Sequence, residues 1–152
     1  MFRNLLARHI ALPFQDLYKG TYITRLIPFL EKSQLWDEEE MFLYRNNKFQ
    51  KLISHSAKNV PYYRNLFREK ELHPNNFKSL RDIQLLPVLK KETLRSCHAE
   101  FIADNISLYK RIKKGKTGGT SGVPLEFYSD TQDRSFTWAS YYRWYKWMGI
   151  DL

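Results

Sequence analysis

The sequence predicts an α+β chain in which a mainly helical region over residues 1–106 precedes a strand–loop–strand–helix region over residues 107–152. Three observations carry that prediction. Apolar residues recur at helical spacing through most of the first hundred positions. From Ser107 the period shortens to two, with Leu108, Lys110, Ile112 and Lys114 alternating with Tyr109, Arg111 and Lys113. Between that run and a second strand-like stretch, Pro124–Ser129, lies Lys116-Thr-Gly-Gly-Thr-Ser-Gly-Val-Pro124, which holds three of the chain's six glycines.

Taken in order, Phe2, Leu5, Leu6 and Ile10 fall near helical spacing, and Pro13 is expected to end that helix. Such a segment rests on a membrane, rests on a partner, or packs on its own domain, the last being the commonest. A second helix is expected over Thr21–Trp36, kinked or delayed by Pro28. Asp37 followed by Glu38, Glu39 and Glu40 is a helix start: a capping carboxylate, a Glu three residues on, and negative charge at the positive end of the dipole. It is a cap and not a metal site, because three adjacent helical residues do not converge on one ion. The helix should run to Lys58 and bury Met41, Tyr44, Phe49, Leu52, Ile53 and Ser56. Pro61 then opens a further helix, Tyr62–Leu72, making Val60-Pro-Tyr-Tyr-Arg64 a rigid elbow. After a turn at His73–Asn76, Ser79 and Asp82 form a capping box for a short helix, and the helical pattern restarts over Leu86–Arg95. Asp130 caps the last helix, Thr131–Met148, which carries Phe136, Trp138, Tyr141, Tyr142, Trp144, Tyr145 and Trp147. That helix is too apolar around its circumference to face water on both sides, so the chain is expected to be the N-terminal part of a longer polypeptide that covers it.

At 43% hydrophobic and 16% aromatic, the chain has enough apolar mass for a core. Its 25 Lys and Arg against 16 Asp and Glu give a formal charge of +9, which suits nucleic acid, an anionic membrane or a nucleotide without choosing among them. Cys97 is the single cysteine, so no disulfide framework exists and a cytoplasmic location is expected. Arg8 and His9 interrupt any signal-peptide core, and no run approaches the roughly 18 apolar residues of a membrane span.

The glycine loop is where chemistry concentrates. Glycines admit positive φ and close approach of a ligand to the backbone, Thr and Ser add donors, and five positive charges over Tyr109–Lys116 favour a phosphate. A flexible hairpin loop without a ligand has the same composition. The Walker pattern fails, since Lys110 stands where its first glycine belongs, and no dinucleotide fingerprint is present. Adjacent Cys97 and His98 point about 100° apart on a helix and make no nucleophile–base pair. His9, His55 and His73 lack ligand spacing, so no catalytic residue and no metal ligand is assigned. Lys110–Lys116 with Tyr109 and Tyr128 suits single-stranded nucleic acid or a lysine-guarded strand edge, but neither accounts for the glycines.

Thr117-Gly-Gly-Thr-Ser-Gly-Val-Pro124 resembles the phosphate-binding loop of adenylate-forming enzymes, Thr/Ser-Ser/Gly-Gly-Thr/Ser-Thr/Ser-Gly-x-Pro, at every position. Val60-Pro-Tyr-Tyr-Arg64 and Leu86-Pro-Val-Leu-Lys90 with Leu94-Arg95 look like segments of its phenylacetate–CoA ligase branch, which includes proteins of capsular polysaccharide gene clusters. The resemblance implies part of an α/β adenylate-forming fold, with residues 107–152 the start of a nucleotide-binding domain. It implies ATP and Mg2+ as cofactors, coenzyme A as a thiol acceptor, and a small carboxylate as substrate. Thr117, Gly118, Gly119, Thr120, Ser121 and Gly122 would hold the β- and γ-phosphates. One departure stands out: Leu125 and Glu126 follow the proline where the main acyl–CoA synthetase branch has Lys-Gly, and Lys116 is the nearest replacement charge. The family's adenine-binding segment, magnesium ligand, ribose-binding Asp and late lysine lie downstream of these residues. The chain alone is therefore expected to be inactive, with the remainder of the polypeptide as its partner and no nucleic acid bound. A non-catalytic scaffold and a basic nucleic-acid binder are the alternatives.

Overall fold

The computed structural model describes residues 6–118 and 124–150. The chain divides into two compact units, Met1–Trp36 with Lys110–Leu152, and Asp37–Tyr109. The described elements are mainly helical with one two-stranded antiparallel sheet, an α+β composition.

In the first unit a π-helical turn, Ala7–Ala11, runs into α1 (Leu12–Lys19). Pro13 was expected to end a helix and instead sits in the first turn of α1. It has no N–H to give the preceding turn, so the winding changes there and a new helix starts. Gly20, at φ 64°, closes α1 in the left-handed conformation and donates its N–H to the Asp16 carbonyl. A side chain at Gly20 would be strained, and its Cβ would collide with the Arg111 guanidinium.

Asp16 then starts the next helix, α2 (Ile23–Ser33), from outside it. Its Oδ1 accepts from Thr21 Oγ1 at 2.6 Å and the Ile23 N–H at 3.0 Å, and its Oδ2 from the Thr24 N–H at 2.9 Å and Thr24 Oγ1 at 2.7 Å. Two of these are N–H groups that a helix N-terminus leaves without intrahelical partners. Pro28 lies inside α2 and does not delay its start.

The second unit begins with α3 (Glu38–Asn59), where Asp37 and Glu40 make the expected capping box. Phe49 and Ile53 are buried, whereas Leu52 is exposed, because the stripe facing the core is narrower than the apolar pattern. Pro61 opens α4 (Pro61–Glu69) directly after α3, with Val60 buried at the elbow. Tyr62 stacks on Phe101 at 4.2 Å, and Arg64 pairs with Asp104 at 2.8 Å, which secures the elbow. The core gathers Phe49, Ile53, Phe67 and Phe77, with Phe67 stacked on Phe77 at 5.4 Å. A 3-10 turn at Leu80–Leu85 carries the Ser79/Asp82 capping box, and the short α5 (Lys91–Ser96) starts only after an extended passage from Pro87.

Residues 107–112 are not the strand that alternation suggests. Ile106–Leu108 form a 3-10 turn and Arg111 takes a left-handed φ of 55°, so extended pairing begins only at β1 (Lys113–Lys116). β1 pairs antiparallel with β2 (Glu126–Ser129) in the register Lys113↔Ser129 to Lys116↔Glu126. Asp130 accepts the Asp133 N–H at 2.7 Å and caps α6 (Thr131–Trp147). One side of α6 packs on α2 around Leu12, Ile23, Ile27, Leu30 and Ala139. On another side Phe136, Tyr141 and Trp144, with Thr137 and Ser140, line an open groove of about 460 Å³.

Candidate functional site

The hairpin β1–β2 positions the glycine loop. At its mouth the Thr117 N–H donates to the Leu125 carbonyl at 2.9 Å, and the Leu125 N–H donates back to Thr117 Oγ1 at 3.0 Å. This pair extends the ladder one step beyond the last strand residues. A hydroxyl expected to face a phosphate thus has a structural duty. Thr117→Val should remove that acceptor, weaken loop closure by about 1 kcal/mol and speed exchange of the Leu125 amide severalfold, read by NMR.

Lys116 ends β1 with its side chain 66% exposed, its Nζ 3.6 Å from Glu126 Oε1. Gly118 lies in open space, where an added Cβ would meet nothing within 4 Å, so a ligand could approach its backbone. Gly119, Thr120, Ser121 and Gly122 lie outside the described residues. Gly115, by contrast, is committed to packing: it faces Phe127 across the ladder, and a Cβ there would come within 2.6 Å of the ring.

Two hairpin residues that the sequence reading noted without assigning to the site, Lys114 and Glu126, complete the setting. Lys114 lies two residues from Lys116 on the same strand face, and its Nζ reaches Glu126 Oε2 at 2.6 Å. Their hydrogen bond is the main reason that the Lys114 ammonium is raised and the Glu126 carboxyl lowered from their ordinary values. Period-two spacing of the lysines was the available signal. With Lys113, Lys114 and Lys116 set against Glu126, the base of the loop keeps an excess of positive charge.

Among the described residues no group of three or more His, Cys, Asp or Glu side chains is placed to hold a metal ion. His55 lies beside Asn59 Nδ2 at 3.1 Å and edge-on to Tyr109, contacts within its own fold unit.

Comparison with known proteins gives partial likenesses. The chain is similar to a phenylacetate-coenzyme A ligase of Aromatoleum evansii, 28% identical over 111 residues, which are 73% of this chain and 25% of that protein. It is also similar to a phenylacetate-coenzyme A ligase of Escherichia coli strain K12, 26% identical over 102 residues, 67% of this chain and 23% of that protein. The chain spans about a quarter of the length of these curated relatives. No family model and no solved structure matches it. At this coarse level the chain is similar to part of a ligase.

Proposed function

We propose that the chain is the N-terminal part of an ATP-dependent ligase of phenylacetate–CoA ligase type, with Thr117–Gly122 as its triphosphate-binding loop. The observation that carries the reading is the residue order Thr117-Gly-Gly-Thr-Ser-Gly-Val-Pro124 set at the end of a closed, lysine-rich hairpin. The likeness to two ligases supports it.

The donor set suits a triphosphate. Open backbone at Gly118, the exposed Lys116 and the hydroxyls of Thr120 and Ser121 are groups that bind phosphate oxygens. ATP would transfer its adenylyl group to a carboxylate oxygen with loss of pyrophosphate, and a thiol such as coenzyme A would then take the acyl group as AMP leaves. The loop's part is to hold the β- and γ-phosphates in place and to stabilise charge as pyrophosphate departs. Thr117, already bonded to Leu125, acts chiefly by closing the loop. No magnesium ligand is assigned in this chain.

The test is nucleotide binding. Thr120→Ala combined with Ser121→Ala should lower ATP affinity by tenfold or more, an order of magnitude expected from hydrogen bonds to a charged acceptor, with the helical circular dichroism unchanged. Unchanged affinity in a titration calorimeter would remove the loop from the assignment. Steeply salt-dependent oligonucleotide binding indifferent to ATP would move the chain to the nucleic-acid reading. In a polypeptide carrying the downstream residues, carboxylate-dependent exchange of pyrophosphate into ATP is the corresponding activity.

A further inference from the structure

We propose that the outer face of α1 and the turn before it dock on an anionic lipid surface. The helix is turned inside out. The residues it buries are Leu12 and the carboxylate Asp16, four apart, while Ile10, Phe14, Leu17 and Tyr18 face outward with 61%, 70%, 79% and 80% of their surface exposed. Leu6 is exposed one turn earlier, and Ala11 and Pro13 flank the stripe. At 100° per residue these positions share the side opposite Leu12 and Asp16. A water-facing helix carries charged groups there, and this one carries large apolar side chains.

Charge selects the kind of surface. Residues 6–20 contain one acidic side chain, Asp16, and it is buried beneath its four hydrogen bonds. At the C-terminal end of α1 Arg111 brings its guanidinium to the Tyr18 carbonyl at 3.4 Å, with the exposed Lys110 next to it in the chain. The unit that includes α1 holds 13 Lys and Arg against 6 Asp and Glu, while the other unit holds 12 against 10. Most of the chain's net positive charge therefore lies in the unit that shows the apolar stripe. Apolar side chains set in the headgroup region, flanked by cations, are how a helix rests on an anionic bilayer. The segment lies on the surface without crossing it: residues 6–19 reach about 21 Å at 1.5 Å per residue, against a hydrocarbon core of about 30 Å. None of the helices among the described residues is long and apolar enough to span.

Vesicle co-sedimentation tests this. The chain should bind vesicles of phosphatidylcholine mixed with phosphatidylglycerol about tenfold better than phosphatidylcholine alone, and added salt should reduce the difference. Phe14→Glu with Leu17→Glu should abolish binding while leaving the melting curve in place, since neither side chain lies in the core. Lys110→Glu should weaken binding to the anionic vesicles alone. Equal sedimentation of the folded double variant and the parent would overturn the proposal, as would failure of the parent to bind at low salt. A dimer that the double variant dissolves, without vesicle binding, would assign the face to a second copy and overturn it equally.

Discussion

Asp16→Ala is expected to destabilise the unit built on α1 and α2 by about 2–4 kcal/mol, a fall in Tm of roughly 5–15 °C. The substitution removes one carboxylate and four hydrogen bonds. It leaves the Ile23 and Thr24 N–H groups at a buried helix start without an acceptor, and each such group costs about 1–3 kcal/mol. Asp16→Asn keeps an acceptor oxygen and should fall between the two. The pH dependence has a definite sign. Burial is the largest single influence on the Asp16 carboxyl and raises it, but the bonds from Thr21, Thr24 and Ile23 together outweigh burial and hold it below its ordinary value of 3.8. A carboxyl depressed on folding stabilises the fold above its unfolded value, and that stabilisation fades as the pH falls through the folded one. Thermal melts at neutral pH should therefore separate parent and variant widely, and melts below pH 3.8 should bring them together. Coincident melts at neutral pH would show that Asp16 does not anchor α2.

Ala139→Leu is expected to cost about 2–3 kcal/mol by overpacking the contact between α2 and α6. Ala139 and Ser135 are fully buried, four residues apart on α6, and their small size lets the start of α2 come close. The closeness is measurable: Ser135 Oγ accepts the Tyr22 N–H at 3.2 Å while donating to the Thr131 carbonyl at 2.6 Å. Farther along, Lys146 meets Glu31 at 2.7 Å, and Trp147 Nε1 donates to Gln34 Oε1 at 2.8 Å, so α6 cannot back away without breaking polar contacts. Tyr141→Leu, on the exposed side of the same helix, should change stability by less than about 0.5 kcal/mol. Hydrogen exchange distinguishes the two outcomes. Ala139→Leu should loosen amides of α2 and α6, and a pair of variants with equal effects would refute the packing account.

Local chemistry made much of this chain readable from its sequence. The caps at Asp37, Ser79 and Asp130, the proline elbow at Val60–Pro61, the hairpin and the residue order of the glycine loop each depend on groups a few positions apart. Capping and turn geometry act over one helical turn, so a short window of sequence holds the whole interaction. Pro13 and Arg111 mark where local reading failed: one opened a helix it was expected to end, and the other delayed a strand that alternation placed earlier.

Tertiary structure alone decided which surfaces meet. Nothing in the spacing around Asp16 says that its carboxylate is buried to start the next helix, or that Phe14, Leu17 and Tyr18 are left outside. Nor does any periodicity pair α2 with a helix more than a hundred residues later. Those outcomes depend on shape and burial between segments far apart in the chain, where hydrophobicity is non-directional and names no partner. The sequence by itself determined the local elements and the order of the loop, and only the fold determined which faces of those elements were buried and which were left exposed.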